Sequence, residues 1–412
     1  MNILPQIDTK NIPVLSKLSM LLLASFAVLN VYRFVPSQLN YAYVLGLLLF
    51  LVTILKKGIK NPYPISYLIF WGYCAIQIVV IAGTSSWQDY LPGGISLFFF
   101  SLCMGGFILN FNFNCLRKYI TYTWLFAAIL FIIQWIIFHT TGQKISVFLP
   151  LGNELTYEGL NYGEMIARQM TSTSEGQHRF SSIFAEPSYF GQYSLVALCT
   201  ELFCNENKNK LITPLAIFIC IIILLLQSGV GLLGMGFIAL FKLVYIIFIT
   251  KQPKYYIYLL LIVPILIWGI SQYLNSAAGQ YILGRMDQLA YDDQSATNSG
   301  FVRLYYGYYA FGELSLQDKL LGVSRSAAQA MRDYGGFFNG ISYILCSFGI
   351  IGLLLVILFL TFNCQKKNIF VVAMGLLYIV VSAIESTYLS SIMMMTFVIV
   401  SVKMSNCKRT SI

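Results

Sequence analysis

Charge is scarce in this sequence. Asp, Glu, Lys and Arg make up 10% of its 412 residues, against about 25% in an average soluble chain. That scarcity excludes a water-soluble enzyme. It also excludes disorder, which needs low hydrophobicity and dense charge. Histidine is nearly missing, with His139 and His178 the two instances. No CxxC pair and no His/Cys cluster occurs, so no protein-held transition metal and no other cofactor is expected. The 9 cysteines are Cys74, Cys103, Cys115, Cys199, Cys204, Cys220, Cys346, Cys364 and Cys407. All fall in apolar runs or in the connections assigned below to the cytoplasmic side, which excludes a disulfide-stapled outer domain. Internal repeats are not evident, which argues against the many transporters built from repeated halves.

Apolar sequence is what the chain has in quantity. Hydrophobic residues are 58% of it and its mean hydropathy is +0.73, so membrane spans of roughly 20 apolar residues are the natural unit. About twelve runs qualify, near 14–32, 40–55, 65–83, 91–109, 119–138, 187–204, 211–227, 229–249, 255–274, 339–362, 368–384 and 387–402. The first lacks a small-residue cleavage site and reads as an uncleaved anchor. The expected fold is therefore an all-α polytopic membrane protein, a single integral membrane domain over residues 1–412.

Lys and Arg in the short connections orient such a chain. Lys10 and Lys17, Lys56, Lys57 and Lys60, Arg117 and Lys118, Lys208 and Lys210, Lys251 and Lys254, Lys366 and Lys367, and Lys403, Lys408 and Arg409 all fall on one side. The alternate short connections carry Arg33 alone. Both termini are thus expected in the cytoplasm. Two long connections, about 139–186 and about 275–338, fall on the outer face. The net charge of +10 accordingly reports topology, and nucleic acid is not an expected partner.

The two outer loops hold the unusual residues, and loops of this length are usually functional or disordered. Their aromatic and apolar patches, such as Phe301-Val302 and Phe337-Phe338, predict short amphipathic segments on the mouth of the bundle. Of 9 arginines, Arg33, Arg168, Arg179, Arg285, Arg303, Arg325 and Arg332 are outer, whereas of 17 lysines only Lys144 and Lys319 are. Arginine's planar fork binds phosphate or carboxylate in bidentate fashion. An outer face that selects it points to an anionic ligand, with ion pairing inside the loops as the competing reading.

The densest stretch is Arg179-Phe180-Ser181-Ser182-Ile183-Phe184-Ala185-Glu186-Pro187-Ser188-Tyr189-Phe190-Gly191. Pro187 fits a first helical position and Glu186 the cap before it. A carboxylate there is stabilised by the helix dipole, which is a sufficient structural reason for it. The functional reading adds that Glu186, fixed at the membrane face, could deprotonate a sugar hydroxyl while Arg179 neutralises a leaving diphosphate. His178 is the reserve base.

This stretch resembles the segment after the first long outer loop in bacterial polysaccharide polymerases of the Wzy type, which join O-antigen or capsule repeat units. The layout is similar too. The second loop ends in Tyr334-Gly335-Gly336-Phe337-Phe338-Asn339-Gly340, then Phe348-Gly349-Ile350-Ile351-Gly352. Arg325 to Gly336 has the Arg-X10-Gly spacing described for that family, and Arg179 to Gly191 misses it by one residue. The resemblance covers the whole chain in layout and about 30 residues in motif.

The resemblance implies a polymerase/ligase architecture of the GT-C-like kind in the bacterial cytoplasmic (inner) membrane. It implies a metal-independent glycosyltransferase whose donor and acceptor are both undecaprenyl-diphosphate-linked oligosaccharides. Membrane lipid and a chain-length regulator are the further partners it implies. Glu186 and Arg179 are then the catalytic pair, and Arg168, Arg303, Arg325 and Arg332 the diphosphate ligands. An O-antigen ligase-type transferase is the first alternative, but such ligases carry a functional His in the second long loop, where this sequence has none. A lipid-linked oligosaccharide flippase is the other, and would have short loops and charge along its spans.

Other features carry weaker readings. Gly229-Val230-Gly231-Leu232-Leu233-Gly234 matches GxGxxG but lies in an apolar run with no preceding strand. Gly229, Gly231, Gly234 and Gly236 are instead expected to pack helices closely. Tyr305, Tyr306, Tyr308, Tyr309 and Phe311 follow Arg303 and read as an aromatic belt, with sugar stacking by Tyr305 in reserve. His139 ends a span, and the Asp292-Asp293 pair reads as a loop tip. Glu385 is expected to be half buried, either functional or in a turn between the last two spans.

Overall fold

A computed structural model describes residues 12–32, 40–58, 60–82, 91–147, 180–204, 210–250, 302–323, 338–364 and 368–402, with the single positions 271, 275 and 328. Span 255–274 and most of both long loops lie outside them. The described residues form helices and no strand. In chain order these are α1 (Val14–Leu29), α2 (Tyr41–Lys57), α3 (Ile65–Ala82), α4 (Leu91–Leu109) and α5 (Phe113–Thr141). There follow α6 (Pro187–Phe203), α7 (Pro214–Leu226), α8 (Gly229–Val244, with a π-helical end Tyr245–Thr250), α9 (Gly307–Gly312) and α10 (Leu316–Leu321). The last three are α11 (Gly340–Asn363), α12 (Ile369–Ser382) and α13 (Ser391–Ser401).

Local chemistry sets many of the boundaries. Asn40, Asn112, Thr213, Ser228, Asn339 and Ser390 each occupy an N-cap and accept from a backbone N–H of the first turn, satisfying a donor that the helix itself leaves open. α5 stops at Gly142 in the left-handed region, φ 69°, where glycine carries no Cβ penalty.

Three helices are long and apolar enough to cross a membrane, namely Phe113–Thr141, Gly229–Phe248 and Gly340–Asn363. Shorter apolar helices pack around them. Large apolar side chains such as Leu55, Ile65, Val79 and Phe362 stand fully out on the surface of α2, α3 and α11, a disposition that suits hydrocarbon and not water. The chain has the character of a membrane protein. At its centre are α6, buried from Phe190 to Phe203, and α13, buried from Ile392 to Val400. A helix apolar on every side belongs in a core.

The described ends of the two long connections, both roots of the first and the close of the second, lie at one end of the bundle. Phe113 near the start of α5 meets Phe370 near the start of α12, ring centroids 5.0 Å apart, so the far ends of α5 and α12 share the opposite end. Gly340 N donates to Glu385 O at 2.8 Å, which brings the start of α11 there as well. We call this the loop end.

Candidate functional site

α5 and α6 run antiparallel with a steady register. The Phe131 and Phe190 rings lie 5.9 Å apart, Trp124 Nε1 donates to Ser194 Oγ at 2.9 Å, and Arg117 pairs with Glu201 at 3.5 Å. From Ser194 to Glu201 on α6, seven residues forward match the seven back from Trp124 to Arg117 on α5. Carried to Glu186, these pairs set it level with the stretch from Ile132 to Trp135, about 9–14 Å short of the α5 tip at 1.5 Å per residue. Glu186 is half-buried and stands below the level of the α5 tip.

The preceding residues explain this level. Ser181, Ser182, Ile183 and Phe184 are buried, so the chain dives beside α5 before α6 begins. Phe180 meets Phe138 near the α5 tip, at 5.4 Å. Ser182 lies deeper, where its Oγ donates to Ala127 O at 2.7 Å and its N–H donates to Gln134 Oε1 at 3.1 Å. Ser182 adopts φ 55°, a left-handed conformation that costs a non-glycine residue energy and persists where its surroundings enforce it.

Glu186 and Pro187 occupy the N-cap and first helical position, as the sequence predicts. The Glu186 carboxylate nevertheless makes no capping hydrogen bond to the helix N–H groups. It accepts from Ser188 Oγ at 3.2 Å.

The second loop enters the same end. Gly307 lies against Ser342, and α10 ends against the middle of α11. There α11 is not continuous, as a span over 339–362 had implied, but broken at Gly349, φ 67°. Gly322, φ 83°, crosses it, with its N–H held by Asp318 O at 2.7 Å. A Cβ on Gly349 would strike Leu320 O, and one on Gly322 would strike Ser347 O. Val323 N donates to Cys346 O at 2.8 Å. Gly349 is nine residues into α11, about 14 Å from its start, so a piece of the second loop also reaches well inside the bundle.

No family model, curated protein or solved structure matches this chain. The site is therefore read from its own residues. Arg168, His178, Arg179, Arg325 and Arg332 lie outside the described residues, as does the Asp292-Asp293 pair. Arg303 falls in the short π-helical segment Val302–Tyr306. Tyr305 is 50% exposed and Tyr309 68%, while Tyr306 turns inward onto Phe338 at 5.9 Å. Among the described residues no three His, Cys, Asp or Glu side chains come together.

Several secondary readings are sharpened. Gly231 and Gly234 do pack closely, Gly231 against Gly191 of α6 at 3.6 Å and Gly234 against Leu195. Gly229 and Gly236 have nothing within 4 Å of an added Cβ among the described residues. They lie on the exposed face of α8. Glu385 is in the turn after α12 and is buried, not half buried. His139 ends α5, stacked on Trp135 at 4.1 Å.

Two groups were invisible to a search for charge in loops. Gln77 and Gln134 are buried amides inside α3 and α5, and a polar side chain within an apolar run was the available signal. Arg117, assigned by its sequence position to the cytoplasmic side, is buried and paired with Glu201, which also accepts from Thr213 Oγ1 at 2.9 Å. Lys242 is likewise buried, donating to Leu202 O and lying 5.0 Å from the Phe203 ring centroid.

Proposed function

We propose that this chain polymerises lipid-linked oligosaccharide repeat units at the outer face of a bacterial cytoplasmic membrane, as the Wzy-type polymerases it resembles do. The reading includes about twelve spans in a GT-C-like arrangement, cytoplasmic termini and the loop end facing outward. The observation that carries it is Glu186, half-buried at the N-cap of α6 below the α5 tip, whose carboxylate makes no cap hydrogen bond to its own helix. A lipid-linked substrate needs chemistry at that depth, where its diphosphate meets the hydrocarbon boundary. The arginine-rich loops add the complementary charge.

In the proposed step a hydroxyl oxygen of one lipid-linked unit attacks the anomeric carbon of another. Glu186 takes the hydroxyl proton as the new C–O bond forms. The bond from the anomeric carbon to the diphosphate breaks, and its electron pair leaves on the diphosphate oxygen. Arg179 neutralises that charge. Arg168, Arg303, Arg325 and Arg332 hold the two diphosphates, and His178 and Tyr305 are reserves for base and for sugar stacking. No metal or nucleotide enters, because the lipid diphosphate is already an activated leaving group.

The test is reconstitution with undecaprenyl-diphosphate-linked repeat units and a gel of product lengths. Wild-type protein should give a ladder. Glu186→Gln, which inserts normally, should lower its rate by about 100-fold or more. Arg179→Ala should weaken it as well. Transport of intact units with no ladder would refute the polymerase and favour a flippase. Transfer of a finished chain to a different acceptor would favour the ligase-type reaction.

A further inference from the structure

Gln77 and Gln134 each reach out of an apolar helix to the backbone of a long loop. They are 6% and 1% exposed, and a buried amide must find partners. Gln134 Oε1 accepts from Ser182 N at 3.1 Å, while its Nε2 donates to Ile145 O at 2.9 Å. Ile145 follows α5 and Ser182 precedes α6, so one amide holds both roots of the first loop. Gln77 Nε2 donates to Leu321 O and to Ser347 O, each at 2.7 Å. Tyr73 Oη supports the same crossing through Leu321 O and Phe348 O, both at 2.9 Å. This ties the second loop to the break in α11.

The physical need is common to both places. Backbone that leaves the helical ladder inside an apolar bundle has no water to bond, so protein groups must satisfy it. Each glutamine serves a turn in left-handed backbone, Ser182 in one case and Gly322 in the other. The chain positions matter for chemistry. Arg179 is three residues before Ser182, and Arg325 is two after Val323.

We infer that Gln77 and Gln134 are positioning residues, two latches that set the depth at which the long loops meet the bundle. Through them the described loop ends beside Ser182 and Gly322 are held against the bundle. The functional half of this inference rests on the proposed polymerase reaction, whereas the latches themselves do not. The two amides work differently. Gln134 uses an acceptor and a donor, and Gln77 uses donors alone. Gln134→Glu therefore keeps the bond from Ser182 N, but Gln77→Glu keeps neither of its bonds.

Hydrogen exchange on the full chain in lipid nanodiscs tests the latches directly. In Gln134→Leu, the amides of 180–186 should lose protection by about tenfold or more, with 316–323 unchanged. Gln77→Leu should show the reverse. Gln134→Glu should retain more protection over 180–186 than Gln134→Leu. Gln77→Glu should retain no more over 316–323 than Gln77→Leu. Equal loss over both segments in either leucine variant, or no loss in either, overturns the proposal.

Kinetics with lipid-linked repeat units supplies the second readout. Gln134→Leu should lower kcat by about 100-fold, the cost of a misplacement near 1 Å. Gln77→Leu should chiefly raise KM for the donor. Normal kinetics in both, with the exchange pattern as expected, overturns the positioning role. If wild-type protein makes no ladder at all, the polymerase reading fails, and the exchange result still decides the latches.

Discussion

At the scale of single residues, the structure changes the meaning of charge. Arg117 and Glu201 face each other across α5 and α6 with side chains 6% and 9% exposed. A buried pair of this kind adds little net stability over an apolar replacement, but losing one partner strands the other. Arg117→Ala should therefore destabilise the protein by about 3–5 kcal/mol. The double variant Arg117→Met with Glu201→Leu should recover most of that loss. Thermal unfolding in a single detergent measures both, and a double variant no better than the single one would refute the pairing argument. The pair sits near the end of the bundle away from the loops, 15 residues along α6 from Glu186, roughly 22 Å at helical rise. Its role is to hold α6 and not to meet substrate.

At the scale of elements, glycines that look alike in sequence do different things. Gly349 breaks α11 with φ 67°, and a Cβ there would strike Leu320 O. Gly349→Ala should cost about 2 kcal/mol or more through backbone strain and that contact. Gly236 sits on an exposed face of α8 with no neighbour among the described residues within 4 Å of an added Cβ. Gly236→Ala should be neutral or stabilise the helix by about 0.5–1 kcal/mol. Comparing the two melting curves decides the matter, and equal effects would contradict the assignment of the break. The break also separates this helix from an ordinary span, since it lets the α10 end lodge against its flank with Gln77 and Tyr73 satisfying the freed carbonyls.

At the scale of the whole molecule, the described ends of both long loops lie at one end of the bundle, and the proposed reaction needs that end outside the cell. Gln317 in α10 and Lys60 before α3 are both exposed and stand on opposite sides in this topology. The described cysteines are buried or half-buried, so wild-type protein serves as a low-background control. Gln317→Cys should react with a membrane-impermeant maleimide added to intact cells, and Lys60→Cys should react once the cells are permeabilised. The reverse pattern would invert the bundle and remove the proposed site from the outer face.

The all-helical class, the apolar surface and the start of α6 at Pro187 were readable in the chain itself. Hydrophobic run length and residues such as Pro187 act locally, and their consequences need no distant partner. The helical pieces α9 and α10 followed from composition in the same way. The depth of Glu186 did not, because it depends on the register between α5 and α6 and on Ser182 reaching Ala127 O. Nor did the burial of Arg117 or the break at Gly349, since a residue's type does not reveal which neighbour it meets. Gln77 and Gln134 mark the boundary most clearly. The sequence shows two amides in apolar runs, and only the tertiary structure supplies the unladdered backbone, far away in the chain, that a buried amide is needed to satisfy.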